Sequence, residues 1–283
     1  MTERFVDVPG GRLFVIDDGA PGDPPIVLLH AGVADSRAWD DLAPYLVAGG
    51  YRVVRRDMRG FGRTETEDVE YSNRADVIAV LDALDIGQAV LVGNSSGGQV
   101  AYDTAIEFPD RVAAVVGVAA EPGGFDAEPT PEESALFEEA DALEEAFEAG
   151  GPNAPSAAAI AEFEVRLWVD GPGQPPDRVP AAIRELVREM DVLHYAPGRT
   201  QGSPIPLLPR ANDRLAELRA PVLAVAGALD LREFTLAAQH LAAELPHATA
   251  VIWPDVAHMI GMEVPERLAG RILEFLAPLP RWS

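Results

Sequence analysis

Residues 89–99 read Ala89-Val90-Leu91-Val92-Gly93-Asn94-Ser95-Ser96-Gly97-Gly98-Gln99. The stretch begins as a short apolar run with β-branched residues, which predicts a strand buried on both faces. It then passes through a Gly-x-Ser-x-Gly turn into an Ala-rich segment that predicts a helix. A serine between a strand and a helix needs a sharp, strained turn, and glycines let neighbouring chain pass close by. We therefore interpret Ser95 as a candidate nucleophile, with a simple glycine-rich turn as the alternative.

Strand and helix patterns alternate on both sides of this turn. Apolar runs predict buried strands at residues 26–30, 51–57, 111–120, 222–227 and 249–253. A helix is expected at 36–47, where apolar residues recur at helical spacing. This alternation predicts an α/β fold whose mostly parallel sheet is doubly wound, with helices on both faces.

The alternation stops after Ala120 and resumes near residue 216. Residues 121–215 contain no clear strand, several Pro- and Gly-rich joints and amphipathic helical patterns. We therefore predict a core in two parts, 1–120 and 216–283, interrupted by a helical cap, or lid, at 121–215. The first part of the cap, up to Glu148, has many carboxylates and no basic residue. It is either an anionic entrance that disfavours negatively charged substrates or a solvated acidic face.

Composition excludes several classes of function. The formal net charge of −24 argues against nucleic acid and anionic membrane surfaces as partners. All 22 basic side chains are arginine, which codon bias explains more simply than adaptation to salt. There is no cysteine, so disulfides and thiolate chemistry are excluded. The sequence shows neither a signal-like start nor an apolar run long enough to span a bilayer, so a cytoplasmic location is expected.

No cofactor or metal is predicted. The sequence contains no metal-ligand spacing, no phosphate-binding loop and no dinucleotide fingerprint. A small-molecule substrate is therefore the expected partner, and the oligomeric state is left open, with a homodimer as one option.

Two further residues follow predicted strands and suit a serine nucleophile. Asp230 follows the strand at 222–227, and His258 follows the strand at 249–253. The carboxyl ends of parallel strands line the ligand crevice of such sheets, so we expect Ser95, Asp230 and His258 to meet there. A serine needs a base, and the base needs an orienting carboxylate. Glu121, after the strand at 111–120, is the rival acid.

The motifs together resemble an α/β-hydrolase-fold serine hydrolase with a helical lid, of carboxylesterase or lactonase type. The resemblance covers nearly the whole chain and is carried by His30-Ala31-Gly32, Asp57-Met58-Arg59-Gly60-Phe61-Gly62, Gly93-Asn94-Ser95-Ser96-Gly97-Gly98, Gly227 to Asp230, and Ala257-His258. The family usually has glycine directly after the first histidine, whereas Ala31 intervenes here. The first oxyanion donor implied by the resemblance is therefore the N–H of Gly32, with Val33 as the alternative, and the second is the N–H of Ser96.

The resemblance implies an acyl-enzyme mechanism on a small neutral ester or lactone. Ser95 attacks the carbonyl, His258 is the general base, and Asp230 orients it. Members that cleave epoxides or carbon–halogen bonds use aspartate at the position of Ser95, which argues against both reactions. Two alternatives stay open: a C–C hydrolase or lyase using the same triad, and a non-enzymatic small-molecule receptor.

Three residues are candidates for contact with substrate. They are Val33 in the loop after His30, Trp168 in the cap and Met259 beside His258. Packing in an apolar core is the competing interpretation for Trp168 and Met259.

Overall fold

The central sheet is built from the buried apolar runs of the sequence. The computed structural model describes residues 1–151, 154–280 and 282. Residues 152 and 153, inside the predicted cap, and 281 and 283, inside the predicted second core part, lie outside the described residues. The strands are β1 (Thr2–Val8), β2 (Gly11–Asp18), β3 (Pro25–Leu29), β4 (Arg52–Arg56), β5 (Glu65–Thr66), β6 (Glu70–Tyr71), β7 (Ala89–Asn94), β8 (Val112–Val118), β9 (Ser203–Pro204), β10 (Val222–Gly227) and β11 (Ala248–Trp253).

The main sheet has the order β1-β2-β4-β3-β7-β8-β10-β11, and β5 pairs with β2 at one side. The pairs of β1 with β2, β2 with β4 and β2 with β5 are antiparallel, and every other pair along this path is parallel. Strands β3, β4, β7 and β10 are buried along their whole length, as expected for a sheet covered on both faces. The predicted mostly parallel, doubly wound sheet is confirmed.

Helices cover the sheet and fill the connections. They are α1 (Ala43–Ala48), α2 (Asn73–Ala83), α3 (Ser96–Glu107), α4 (Pro131–Ala149), α5 (Ala157–Glu164), α6 (Ala181–His194), α7 (Arg232–Glu244), α8 (Ile260–Glu263) and α9 (Pro265–Leu276). No helix in the described ranges combines the length and apolarity needed to cross a membrane.

The helix predicted at 36–47 is wrong in one respect. The chain forms a 3₁₀ turn at Ser36–Trp39 and then the separate helix α1. Pro44 near the start of α1 explains the break, because proline has no N–H and its ring clashes with the carbonyl four residues earlier, that of Asp40.

Residues 121–215, which we call the cap, leave the main sheet between β8 and β10. Helices α4, α5 and α6 lie there, and α4 begins with a capping box in which Thr130 and Glu133 satisfy each other's backbone N–H groups. The helical pattern at 157–169 forms α5 and then a π-helical segment at Val165–Asp170. The cap also contributes β9, which pairs with β6 and was not predicted. A two-residue strand leaves no periodic signal in sequence.

Candidate active site

Ser95 stands on a strained turn between β7 and α3. Its backbone φ is +52° and its ψ is −121°, outside the conformations that a residue with a side chain ordinarily adopts. The backbone N–H of Ser95 donates to the carbonyl of Val118 at 3.0 Å, so the turn is tied to the end of β8. The glycines of the motif are required by space: a Cβ on Gly97 would lie 2.3 Å from the carbonyl oxygen of Leu29.

Asp230 and His258 form a buried hydrogen-bonded pair. Nδ1 of His258 lies 2.8 Å from Oδ2 of Asp230, and the two side chains are 2% and 0% exposed. The other oxygen of Asp230 accepts the N–H of Leu231 at 2.8 Å, which fixes the carboxylate. A neutral imidazole that donates from Nδ1 keeps Nε2 free as an acceptor. His258 can therefore act as a general base, with the carboxylate of Asp230 already in place to orient it.

Asn94, the last residue of β7, connects the serine turn to the histidine loop, by which we mean residues 254–259 between β11 and α8. Its side-chain amide donates to the carbonyl oxygen of His258 at 3.3 Å and to that of Val118 at 3.1 Å. Ser95 Oγ makes no hydrogen bond with His258 among the described residues. The structure thus joins Asp230 to His258 directly, and joins the serine turn to them through Asn94. Sequence reasoning missed Asn94, although it lies beside Ser95 in the motif that led to the prediction.

Two aromatic rings cover the imidazole of His258. The ring centroid of Trp168 lies 4.5 Å from that of His258, and the centroid of Phe234 lies 4.6 Å from it on α7. Trp168 was predicted as a substrate contact, and the structure places it against the imidazole. Phe234 was not predicted, since an aromatic residue at the start of an amphipathic helix carries no signal beyond packing.

The π-helical segment that carries Trp168 is anchored to the histidine loop. Arg178 donates to the carbonyls of Val169 and Asp170 at 2.7 and 2.6 Å, which satisfies the end of the segment. The same guanidinium binds Glu263, whose carboxylate also accepts the N–H of Ala257 at 3.3 Å. Because Ala257 precedes His258, one arginine couples the cap to the loop of the candidate base.

Glu121 lies nearby but is not hydrogen-bonded to the imidazole in the described structure. It is largely buried, and its Oε2 has no hydrogen-bond partner among the described residues. Burial raises the pKa of Glu121 to about 7, and the charges of Glu233 and Asp230 act in the same direction. The position next to Nδ1 of His258 is occupied by Asp230.

His30 fixes the conformation of the loop after β3, which carries two candidate N–H donors of the oxyanion site. Its Nε2 accepts the N–H of Met58 at 2.8 Å and its Nδ1 donates to the carbonyl of Ala31 at 2.8 Å, while burial lowers its pKa and keeps the ring neutral. The backbone N–H groups of Gly32 and Val33 donate no hydrogen bond within the described ranges. Ser96 opens α3, so its N–H has no partner within the helix. These three N–H groups remain free to bind an oxyanion.

An apolar cluster joins the cap to this loop. Val33 and Met259 are 7% and 2% exposed, and they pack with Val165 and Val169 of the π-helical segment, with Trp168 against its edge. The structure therefore brings together all three residues that were predicted as substrate contacts. In the described ranges, no group of three or more His, Asp or Glu side chains is arranged to hold a metal ion.

Comparison with known proteins identifies the family of the fold. The model of the alpha/beta hydrolase family matches residues 26–271. Epoxide hydrolase B of Mycobacterium tuberculosis is 36% identical over 124 residues, which are 41% of this chain and 35% of that protein. The matched stretch thus spans about a third of the length of that curated relative.

Two further likenesses extend over nearly the whole chain. Rhodomycin D methylesterase of Streptomyces peucetius is 27% identical over 281 residues, covering 90% of this chain and 91% of that protein. The structure of a thermophilic esterase from Thermogutta terrifontis superposes with a TM-score of 0.72 at 25% identity, covering 98% of each chain.

Proposed function

The chain belongs to the alpha/beta hydrolase family, and on that premise we propose that it hydrolyses small neutral carboxylic esters or lactones with Ser95 as the nucleophile. The observation that carries the proposal is the buried hydrogen bond of 2.8 Å between Asp230 and His258 beside the strained serine turn. A hydrogen-bonded carboxylate and imidazole of this kind serve to take the proton from a hydroxyl while its oxygen attacks a carbonyl carbon.

The proposed reaction has two steps. In the first, His258 takes the proton of Ser95 as its oxygen attacks the ester carbonyl, and the developing oxyanion is bound by the N–H of Ser96 together with that of Gly32 or Val33. Collapse expels the alcohol, which takes the proton from His258. In the second step, His258 activates water to cleave the acyl-enzyme. Asp230 stabilises the imidazolium in both steps, and the aromatic cover of Trp168 and Phe234 excludes bulk water from it.

The identity of the residue on the turn favours ester chemistry over epoxide chemistry. Epoxide hydrolysis in this family proceeds through an aspartate at that position, and Ser95 cannot form the same alkyl-ester intermediate. The full-length likeness to a methylesterase supports the same conclusion, whereas the match to epoxide hydrolase B covers 41% of the chain.

Labelling with a fluorophosphonate probe tests the proposal. The adduct is mapped by mass spectrometry, and the same preparation is assayed on a series of short acyl esters and lactones. We expect a stoichiometric adduct on Ser95, and loss of both adduct and turnover in Ser95→Ala. A folded protein that gives no adduct and no turnover would reject the hydrolase proposal and favour a small-molecule receptor.

A further inference from the structure

A second feature of the site is a polar cavity of about 550 Å³ that reaches the oxyanion loop. It is lined by Gly32 and Ser96, by the start of α2 at Asn73, by Asp103 on α3, and by the last part of the cap around Arg210. Its volume lies within the range of about 300–1,000 Å³ that is usual for small-molecule sites. The cavity therefore lies where part of a substrate bound at Ser95 would extend.

Three buried polar atoms without a protein partner belong to residues lining this cavity. They are the side-chain carbonyl oxygen of Asn73, the hydroxyl of Ser96 and Oδ1 of Asp103. The remaining carboxylate oxygen of Asp103 lies 3.8 Å from Arg74, beyond a hydrogen bond. Buried polar atoms are nearly always hydrogen-bonded, so three orphans around one cavity indicate a partner that enters it.

The orphan atoms specify the chemistry of that partner. The amide carbonyl and the carboxylate only accept hydrogen bonds, and the hydroxyl accepts or donates. A ligand that satisfies all three must therefore bring hydrogen-bond donors. An ammonium and a set of hydroxyls both provide donors.

The charges around the cavity favour hydroxyls. Three guanidiniums line it: Arg59, Arg74 and Arg210. Arg59 is paired with Asp76 at 2.8 Å and Arg74 with Glu107, but Arg210 is exposed and has no ion pair in the part of the chain that is described. The carboxylate of Asp103 interacts with the charges of Arg74 and Arg210, so the three guanidiniums face three carboxylates, those of Asp76, Glu107 and Asp103. A cationic ligand would therefore find the charge of Asp103 already balanced, whereas a neutral hydroxylated ligand brings the hydrogen-bond donors without adding charge.

We infer that the polar cavity binds hydroxyl groups of the substrate, so that the preferred substrate is a neutral ester with a hydroxylated acyl or alcohol part. This inference rests on the proposed hydrolase function and adds to it the class of substrate. Asn73 and Asp103 accept hydrogen bonds from the substrate, and the hydroxyl of Ser96 is the third group of the cavity lining that can bind it.

Two matched pairs of esters test the inference. Propyl butanoate is compared with 2,3-dihydroxypropyl butanoate, which carries hydroxyls on the alcohol, and methyl butanoate with methyl 3,4-dihydroxybutanoate, which carries them on the acyl part. The measured quantity is the ratio of kcat/KM for the dihydroxy ester to that for its plain match. Because the active fraction of enzyme cancels, partial misfolding of a variant does not affect this ratio.

For one of the two pairs we expect the wild-type ratio to favour the dihydroxy ester by about tenfold, and that pair assigns the cavity to the alcohol or the acyl part. Asp103→Ala and Asn73→Ala should each lower the ratio by about fivefold, the effect of one lost hydrogen bond. Asp110→Ala, at an exposed site in the short turn that follows α3, is the matched control and should leave the ratio unchanged.

Three results separate the proposals. Turnover of plain esters without preference in either pair would overturn the inference and leave the cavity to water, while the hydrolase function stands. A preference that survives both variants would also overturn it. No ester turnover and no labelling of Ser95 would instead be a failure of the proposed function itself.

Discussion

Of the carboxylic acids near the imidazole of His258, Asp230 is the one hydrogen-bonded to it. Glu121, the rival acid, is partly buried and its pKa is raised to about 7, so near neutral pH it is a mixture of the neutral and charged forms. A residue that must orient and stabilise an imidazolium has to be ionised throughout the working range and bonded to Nδ1. Asp230 meets the geometric requirement at 2.8 Å.

Substitution separates these two acids. Asp230→Asn should lower kcat/KM for an ester by about 10³–10⁴-fold, because the amide favours the wrong imidazole tautomer. Glu121→Gln should change kcat/KM by less than about threefold near pH 7, since it removes only a partial charge that is not bonded to the ring. Both variants are assayed on the same ester, with thermal unfolding to verify that each is folded. The opposite order of effects would assign the acid to Glu121.

At the scale of elements, the serine turn depends on how closely β3, β7 and α3 approach. A Cβ on Gly97 would lie 2.3 Å from the carbonyl oxygen of Leu29 and 2.6 Å from that of His30. Backbone atoms inside a buried sheet cannot move aside cheaply, so the added methyl group must displace α3 from β3.

Two glycine substitutions make this prediction specific. Gly97→Ala should lower the free energy of unfolding by about 3 kcal/mol, or prevent folding. Gly270→Ala is the matched control: Gly270 lies on the exposed side of α9, no atom approaches its Cβ position within 4 Å, and alanine there should stabilise by about 0.5–1 kcal/mol. Urea unfolding measures both. Equal effects of the two substitutions would contradict the packing argument.

The sequence was sufficient to predict the alternating strands and helices of the core, and the residues that follow the strands. Ser95, Asp230 and His258 were predicted as candidates because each follows a strand whose apolar run is visible in sequence. Trp168 could not be placed on the imidazole, because a π-helical segment shifts its side chain away from the direction that a 3.6-residue period predicts. Phe234 and Arg178 act through contacts between distant segments, and no local pattern encodes those.

The cap contains an acidic cluster around one buried carboxyl group, which no periodicity revealed. Asp191 on α6 is 1% exposed, and neither of its carboxylate oxygens has a partner among the described residues. Burial raises its pKa to about 9, with further contributions from Glu164 and Glu144 on the neighbouring helices. Glu164, which accepts a hydrogen bond from Tyr195 at 3.0 Å, has its pKa raised by burial to about 7.

These pKa shifts have a definite effect on stability. An acid whose pKa is higher in the folded state binds more protons when folded, so stability falls as the pH rises from the unfolded pKa, about 4, to the folded pKa, about 9. Asp191→Asn removes this loss. We expect the Tm of the variant to be close to that of the wild type near pH 4, where this loss has only begun, and to exceed it by at least about 3 °C near pH 9, equivalent to about 1 kcal/mol.

Thermal unfolding at several pH values measures this difference, with exposed Asp110→Asn as the control. Parallel Tm curves for the wild type and Asp191→Asn would show that Asp191 ionises in the folded protein as it does in the unfolded chain. The result concerns the stability of the cap, so it is independent of catalysis.

The whole molecule carries a large net negative charge of −24. The chain has 46 acidic and 22 basic side chains, and the basic ones are all arginine. Several of these arginines form half-buried or buried ion pairs, such as Arg52 with Asp17 at 2.8 Å and Arg59 with Asp76 at 2.8 Å. Such pairs are screened little by salt, whereas the unpaired surface carboxylates repel one another through water and are screened strongly.

This difference predicts how the protein responds to salt. Raising NaCl from about 0.02 M to about 0.3 M shortens the Debye length from about 20 Å to about 6 Å and should raise Tm by about 3 °C, since repulsion among the surface carboxylates is relieved. Beyond that concentration Tm should level off, because little repulsion is left to screen. Ester turnover should stay within about twofold over the same range, since the hydrogen-bonded pair of Asp230 and His258 is buried and is screened little by salt.

Calorimetry and initial rates on one preparation test both parts. If codon bias explains the absence of lysine, the protein does not depend on salt. We then expect the enzyme to be folded and active at low ionic strength. If folding or turnover instead required molar NaCl, the acidic surface would be an adaptation to salt.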